Sequence, residues 1–128
     1  MVRSVEPFAA EDYLTSFAAI CRQSKEYQGH GFGVALRRNG NWAIKKSLKP
    51  IWDEQLGDIG RGDFLIAHAR AAFRDEGIAL ENNMPFYDNE RFFIFNGELH
   101  GVRLKSAGAT GAHKIFNYIK RFDCGDLS

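Results

Sequence analysis

The chain has 128 residues, of which 45% are apolar and 26% are charged, and its 17 basic and 16 acidic side chains leave a formal net charge of +1. A folded chain of this length buries roughly two-thirds of the surface that it exposes when unfolded, so one hydrophobic core is feasible. The small net charge gives no general attraction to nucleic acid or to an anionic membrane, and the 11 phenylalanines argue against disorder. We therefore expect a soluble, aromatic-rich single domain over 1–128, with neither a nucleic-acid nor a membrane partner.

The sequence pattern contains neither a membrane span nor a secretion signal. The uninterrupted apolar runs, such as those over 64–67 and 92–95, are far shorter than the ~20 residues that a membrane-spanning helix needs. The first seven residues also lack the apolar stretch of a secretory signal. Cys21 and Cys124 are too few for a disulfide framework, and neither belongs to a CxxC pair. These features predict a cytoplasmic protein.

The first half of the chain carries a helix pattern followed by a hairpin pattern. Apolar residues at helical spacing predict an amphipathic helix over about 10–25, with Cys21 on its buried stripe. Apolar residues then alternate with small or polar ones over 32–36, which predicts a strand. The dipeptide Asn39-Gly40 suits a type I′ turn, because both central residues of that turn need a positive φ. We expect a hairpin over about 31–47.

The second half of the chain combines short apolar strands with a long polar loop. Residues 48–62 predict a connection, 64–69 a buried strand, 74–90 a polar loop and 91–95 a second strand. Apolar residues at i, i+3, i+4 and i+7 predict a final helix over about 110–122. The candidate apolar anchors of the connection are Leu48, Ile51, Trp52 and Leu56. The order helix, hairpin, strand, loop, strand, helix predicts an α+β fold in which helices pack against a sheet.

Residues that suit recognition of a carboxylate lie at the end of the predicted buried strand. His68 and Arg70 are alternate residues of an extended backbone, so their side chains share a face. An arginine held by a rigid strand suits bidentate binding of a carboxylate. The pattern leaves a structural alternative open, in which Arg70 forms a salt bridge with a nearby acid.

Two further segments carry polar groups that suit a binding site. At 96–97 an asparagine amide stands beside a glycine N–H, two donors that suit an oxyanion, although Asn-Gly is also a common turn. The segment 82–86 is either a pocket-lining loop whose path Pro85 fixes or a polar loop anchored by Met84 and Phe86. The glycine-rich segment 29–33 matches no phosphate-binding fingerprint. The four histidines lack metal-ligand spacing, so we expect neither a metal nor a cofactor.

Taken in order, these segments resemble the class II glutamine amidotransferases, which belong to the N-terminal nucleophile hydrolases. The resemblance is strongest to the small stand-alone members and covers about residues 7–122. It is carried by GHGFG at 29–33, HAR at 68–70, ENNMPF at 81–86 and FNGEL at 95–99. It implies an αββα sandwich, of which this chain supplies an incomplete part with partial antiparallel sheets and two main helices.

The resemblance also implies a role for each residue that matches the family. Arg70 is expected to grip the α-carboxylate of glutamine, while the Asn96 amide and the Gly97 N–H form the oxyanion hole over the side-chain amide. The full substrate-binding set that the resemblance implies is Arg70, His68, Asn82, Pro85, Phe86 and Gly31.

The sequence departs from the family at three positions of the implied site. Met84 stands where the family commonly has a histidine, and His30 stands where many relatives have an aspartate. The acid that holds the substrate amino group in the family falls near Gly111, where this chain has none. The sequence therefore leaves that contact unassigned.

The family nucleophile, a cysteine at the amino terminus after removal of Met, has no counterpart here, because residue 2 is Val. One explanation is that the chain is truncated at both ends and that the complete form carries the cysteine, hydrolyses glutamine through a thioester and passes ammonia to an unidentified synthase partner. The others are a nucleophile-free relative that binds glutamine or a similar amide, and a purely structural fragment. Open sheet edges in an incomplete fold predict self-association.

Overall fold

The computed structural model describes residues 1–97, 100–101 and 103–122, and their regular structure is α+β. Apart from short 3₁₀ turns, these residues form two helices and antiparallel strands. The elements are β1 (Val2–Ala9), α1 (Ala10–Gln23), β2 (Phe32–Arg38), β3 (Asn41–Ser47), β4 (Arg61–Ala69), β5 (Phe86–Tyr87), β6 (Phe92–Phe93) and α2 (Gly111–Phe122). The chain divides into two compact units, a first unit over 1–85 and a second unit over 86–128.

The first unit is framed by a four-stranded antiparallel sheet in the order β1-β4-β2-β3. Strands β2 and β3 form the predicted hairpin, in which Arg38 lies opposite Asn41. The turn residues have φ of 48° at Asn39 and 78° at Gly40, which confirms the type I′ turn. β2 then pairs with β4, with Phe32 opposite Ala69. This register brings the segment before β2 beside the segment after β4.

Helix α1 packs against the sheet and closes the core of the first unit. Its buried positions recur every three or four residues, which confirms the predicted amphipathic helix and the buried place of Cys21. The helix ends at Gln23, slightly earlier than predicted, because Ser24 has an extended backbone. The buried core residues are Ala10, Leu14, Ala18, Cys21, Phe32, Val34, Leu36, Ile51, Leu56, Ile59, Leu65 and Ala69.

Strand β1 is absent from the element order predicted from the sequence. The register between β1 and β4 shifts between Arg3, which lies opposite Phe64, and Phe8, which lies opposite Gly62. This irregularity leaves residues 4–7 exposed and removes the apolar alternation by which a strand is recognised. The strand is therefore real, but its sequence carries no period-2 signal.

The connection before β4 differs from the prediction in two places. Gly62, which falls in the predicted connection, lies inside β4, where a Cβ atom would overlap the carbonyl oxygen of Arg37. Leu48, predicted as an anchor, is exposed directly after the edge strand β3. Ile51 and Leu56 are buried, as predicted.

The second unit contains a two-stranded ribbon and helix α2. The sequence predicts a strand over 91–95, but pairing with another strand is confined to residues 92–93. The reason is that the partner strand β5 is itself two residues long, with Phe86 opposite Phe93. Helix α2 confirms the predicted final helix, and its buried Phe116 stacks on Phe93 with ring centroids 5.2 Å apart. Neither helix in the described part of the chain is long and apolar enough to cross a membrane.

Replacement of a core residue of α1 should show how strongly this helix stabilises the first unit. Leu14 is 1% exposed, so we expect Leu14→Ala to lower the free energy of unfolding by about 2–5 kcal/mol, measured by urea denaturation. Ile20 lies on the same helix and is 69% exposed, so Ile20→Ala should change the same quantity by less than about 0.5 kcal/mol. Equal losses for the two variants would contradict this packing.

Candidate functional site

Arg70 follows the last residue of β4, and backbone hydrogen bonds hold it in the sheet. Its N–H donates to the carbonyl of Gly31 at 2.9 Å, and its own carbonyl accepts from the N–H of His30 at 3.1 Å. These bonds continue the β2–β4 ladder beyond the pair of Phe32 and Ala69. The extended, hydrogen-bonded backbone of β4 therefore continues through Arg70, as the prediction of a shared face for His68 and Arg70 requires.

The Arg70 side chain is 8% exposed and bonds to backbone carbonyls. Its Nη1 donates to the carbonyl of Gly77 at 2.7 Å, and Nη2 makes a longer bond of 3.5 Å to the carbonyl of Glu76. Among the described residues, no carboxylate lies within 4.0 Å of the guanidinium. Burial lowers the pKa of Arg70. The salt bridge that the sequence left open as an alternative is thus not formed within the described part of the chain.

The hydrogen-bonding capacity of Arg70 is only partly used. A guanidinium has five N–H donors in a planar fork. Two of them reach Gly77 and Glu76, which leaves three without an acceptor among the described residues. A largely buried guanidinium that has N–H donors to spare, and no carboxylate partner among the described residues, is suited to binding an anion.

Asn82 lies beside this arginine and shares one of its acceptors. The Asn82 Nδ2 donates to the carbonyl of Gly77 at 2.8 Å, the same oxygen that accepts from Arg70. Oδ1 of Asn82 is buried and accepts no hydrogen bond from the described residues. Leaving a buried amide oxygen unpaired costs about 1–3 kcal/mol, so this atom is suited to a ligand that brings an N–H donor.

Asn83 fastens the same loop to the sheet. Its Nδ2 donates to the carbonyl of Ser47 at 2.8 Å and more weakly to that of Phe32 at 3.4 Å, and the side chain is fully buried. These bonds tie the segment 82–85 to the ends of β2 and β3. The sequence predicts no separate role for Asn83, because a buried amide that bonds to backbone carbonyls has no sequence signal of its own.

Two glycines of the GHGFG segment make room for this loop. Gly31 has φ of 108°, and a Cβ atom there would lie 2.5 Å from both Asn83 Nδ2 and the carbonyl oxygen of Ser47. A Cβ atom at Gly33 would overlap the carbonyl oxygen of Met84. The glycines therefore permit a close approach of the loop to β2. Pro85, at the end of this segment, is fully buried.

The predicted site residues divide between the two units. The first unit contains Gly31, His68, Arg70, Asn82 and Pro85, and the second contains Phe86, Asn96 and Gly97. His68 is half-buried opposite Gly33 in the β2–β4 register. Within the first unit, the structure brings Arg70, Asn82 and the backbone of Gly31 into one hydrogen-bonded region. The Gly77 carbonyl at the centre of this region is not predictable from the sequence, because a backbone acceptor has no signature in residue type.

Three predicted residues of the second unit have a described environment. Phe86 is buried and stacks on His113 with ring centroids 3.8 Å apart. Asn96 and Gly97 are exposed after β6, and Gly97 has φ of 136°, a conformation that favours glycine. Their role in an oxyanion hole stays a prediction.

Helix α2 begins at Gly111 and has no acidic residue in its first turn. Thr110 caps this end, since its hydroxyl accepts from the N–H of His113 at 3.3 Å. The amino-group acid that the resemblance implies is therefore not found at this end of the helix.

Cys21 is unsuited to act as a nucleophile. It is buried among the core residues of α1, and this burial raises the pKa of its thiol. A thiol that is protonated and shielded from solvent reacts slowly. Cys124 lies outside the described residues.

One surface cavity has none of the predicted site residues in its lining. It has a volume of about 370 Å³ and is lined by Glu11, Thr15, Glu54, Gln55, Leu56, Gly57 and Asp58. Its carboxylates do not form a metal site, because no group of three or more histidine, cysteine or acidic side chains in the described part of the chain is arranged to hold an ion. The hydrogen-bonded region around Arg70 therefore remains the candidate site.

Comparisons with protein-family models, curated proteins and solved structures gave no significant match to this chain. The resemblance to class II glutamine amidotransferases therefore depends on the residues quoted from the sequence.

The close approach of the loop to β2 can be tested at Gly33. We expect Gly33→Ala to lower the free energy of unfolding by about 1–3 kcal/mol in urea denaturation, because the added Cβ must displace the Met84 carbonyl. Gly111→Ala is the matched control, since no atom lies within 4 Å of the added Cβ and the site is at a helix end. It should leave stability unchanged or raise it by up to about 1 kcal/mol. A neutral Gly33→Ala would show that the loop is not held against β2.

Proposed function

We propose that the chain binds L-glutamine, or an amide of the same chemical class, with Arg70 holding the α-carboxylate. The observation that supports this most strongly is the buried guanidinium, which has no carboxylate partner among the described residues. We also propose that the α+β fold of this chain is part of an N-terminal nucleophile αββα sandwich, as the sequence resemblance implies.

The electrostatic argument starts from the cost of burying a charge. Removing an ion from water costs several kcal/mol in a protein unless a partner compensates it. The carbonyls of Gly77 and Glu76 solvate part of the Arg70 charge but bring no negative charge of their own. A ligand carboxylate supplies that charge and can accept two parallel N–H bonds from the remaining donors. Binding of a carboxylate thus completes the environment of Arg70.

Asn82 supports an amino acid rather than a simple carboxylate as the ligand. Its Nδ2 and the Arg70 Nη1 share the Gly77 oxygen, so the asparagine amide lies next to the guanidinium. The Oδ1 of Asn82, which has no partner among the described residues, can only accept a hydrogen bond, whereas the guanidinium can only donate one. A carboxylate beside an ammonium or amide N–H matches this pair.

In the proposed reaction of a form that carries an N-terminal cysteine, the thiolate attacks the side-chain amide carbon of glutamine. The α-amino group of that cysteine takes the thiol proton and returns it to the departing nitrogen, so ammonia leaves as the glutamyl thioester forms. Water then hydrolyses the thioester to glutamate and restores the thiol. Asn96 and Gly97 donate hydrogen bonds to the oxyanion of the tetrahedral intermediate. The buried Cys21 does not replace that nucleophile, so we propose binding without turnover for a chain that has Val at position 2.

Self-association and transfer of ammonia to a synthase partner remain part of the proposal. β1 and β3 are the outer strands of the four-stranded sheet, and the register shift interrupts the edge at β1. The edge at β3 is the more regular of the two, and it carries Lys45 and Lys46. Lysines on an edge strand disfavour pairing with a second sheet, so we expect any self-association to be weak.

Titration calorimetry with L-glutamine tests the proposed role of Arg70. We expect Arg70→Ala to weaken binding by about 1.5–3 kcal/mol, roughly 10- to 150-fold in Kd, because a charge-assisted pair is lost. Arg70→Lys should recover only part of this affinity, since an ammonium lacks the planar fork. 4-Aminobutanamide, which has no α-carboxylate, should bind the native chain as weakly as glutamine binds Arg70→Ala.

Arg61 provides the matched control for this experiment. It is an exposed arginine at the other end of β4, about 30 Å along the strand from Arg70, and its Nη2 donates to the carbonyl of Pro7. Arg61→Ala should leave the Kd for glutamine within about twofold of the native value. Equal Kd values for the native chain and Arg70→Ala, or no binding of glutamine by the native chain, would contradict the proposed function.

A further inference from the structure

His30 lies just before β2 and contacts the segment that follows β4 at three places. Its N–H donates to the carbonyl of Arg70 at 3.1 Å, and its Nδ1 accepts from the N–H of Ala72 at 2.9 Å. Its Nε2 lies 2.8 Å from Oδ1 of Asp75. The imidazole is 12% exposed and packs edge-on against the ring of Tyr27, with centroids 4.9 Å apart.

These contacts define the tautomer of the imidazole ring. Nδ1 accepts from a backbone N–H, so in the neutral imidazole the proton is on Nε2, which donates to Asp75. The hydrogen bond of one ring nitrogen sets the tautomer of the other. Asp75 therefore keeps Nδ1 available to the Ala72 N–H.

The segment that His30 contacts has an unfavourable backbone. Arg74 and Asp75 have φ of 53° and 55°, and Gly77 has φ of 62°. Non-glycine residues in the left-handed region are held there only when surrounding contacts fix them. The bonds from His30 to Ala72 and Asp75 are such contacts.

The same segment ends at the two carbonyls that accept from the Arg70 guanidinium, those of Glu76 and Gly77. We propose that His30 is a positioning residue: by fixing the segment 70–77 through Ala72, it sets the direction of the Arg70 guanidinium for carboxylate binding. This inference rests on the proposed function. Asp75 contributes by selecting the tautomer of His30, and neither residue needs to touch the ligand.

Two amide substitutions separate the two ring nitrogens of His30. In His30→Asn the side-chain oxygen can take the place of Nδ1 and accept from Ala72, but the side chain is too short to reach Asp75. In His30→Gln the amide nitrogen can take the place of Nε2 and donate to Asp75, but the acceptor for Ala72 is lost. The first readout is hydrogen exchange of the Ala72 amide by NMR, and the second is the Kd for L-glutamine.

We expect His30→Ala to speed exchange of the Ala72 amide at least about tenfold and to weaken glutamine binding about 5- to 10-fold. His30→Asn should restore both quantities to within about twofold of the native values, whereas His30→Gln should resemble His30→Ala. Asp75→Asn, which keeps an oxygen acceptor for His30 Nε2, should match the native chain.

If the histidine variants fail to fold, Asp75→Ala tests the same anchor at the exposed partner of His30. It should weaken glutamine binding about 2- to 3-fold.

Three results would overturn this role. The first is an Ala72 amide exchange rate in His30→Ala that equals the rate in the native chain. The second is a Kd for glutamine in His30→Ala that stays at the native value while Ala72 exchange becomes faster. The third is recovery of the native exchange rate and Kd by His30→Gln as fully as by His30→Asn. Failure of the native chain to bind glutamine would reject the proposed function instead. The Ala72 exchange rates in the native chain and in the three His30 variants would then still decide whether His30 anchors the segment.

Discussion

The antiparallel pairing of β2 with β4 is the contact on which the rest of the site depends. Its register places Phe32 opposite Ala69 and continues to Arg70, so the GHGFG segment and the HAR segment lie side by side although about 40 residues separate them in sequence. The same strand β2 receives the loop 82–85 at Gly33, where only a glycine leaves enough space. One ladder thus positions three of the four segments that carry the resemblance to class II glutamine amidotransferases.

The second constraint is that Arg70 is buried without a counter-charge among the residues that the structure describes. Core arginines in ordinary structural roles are paired with carboxylates, because a removed partner leaves a costly unpaired charge. Here the described residues offer the guanidinium only the carbonyls of Glu76 and Gly77. A strained segment held by His30 presents those carbonyls, so the arrangement costs stability within the chain itself. Such a cost is understandable if the arginine serves a ligand.

The parts of the fold that the sequence predicts are the ones that local chemistry determines. The turn at Asn39-Gly40 and the periodicity of α1 depend on nearby residues alone, and both were predicted with nearly correct bounds. Apolar periodicity does not indicate β1, because the irregular register of this strand removes the alternation of apolar residues. For the site, residue types identified Arg70 and Asn82 as candidates. Their acceptor, the Gly77 carbonyl, was not predictable, because a backbone oxygen is present at every residue and only the fold selects one.

The central claim is that the Arg70 guanidinium binds the α-carboxylate of glutamine. The most direct measurement is the NMR resonance of the Arg70 Nε–H, assigned by its loss in Arg70→Lys, during titration with L-glutamine and, separately, with 4-aminobutanamide. A carboxylate bound to the guanidinium should shift this resonance saturably with glutamine and leave it unchanged with the amide that lacks a carboxylate. A resonance that does not move with glutamine, or that moves equally with both compounds, would contradict the account.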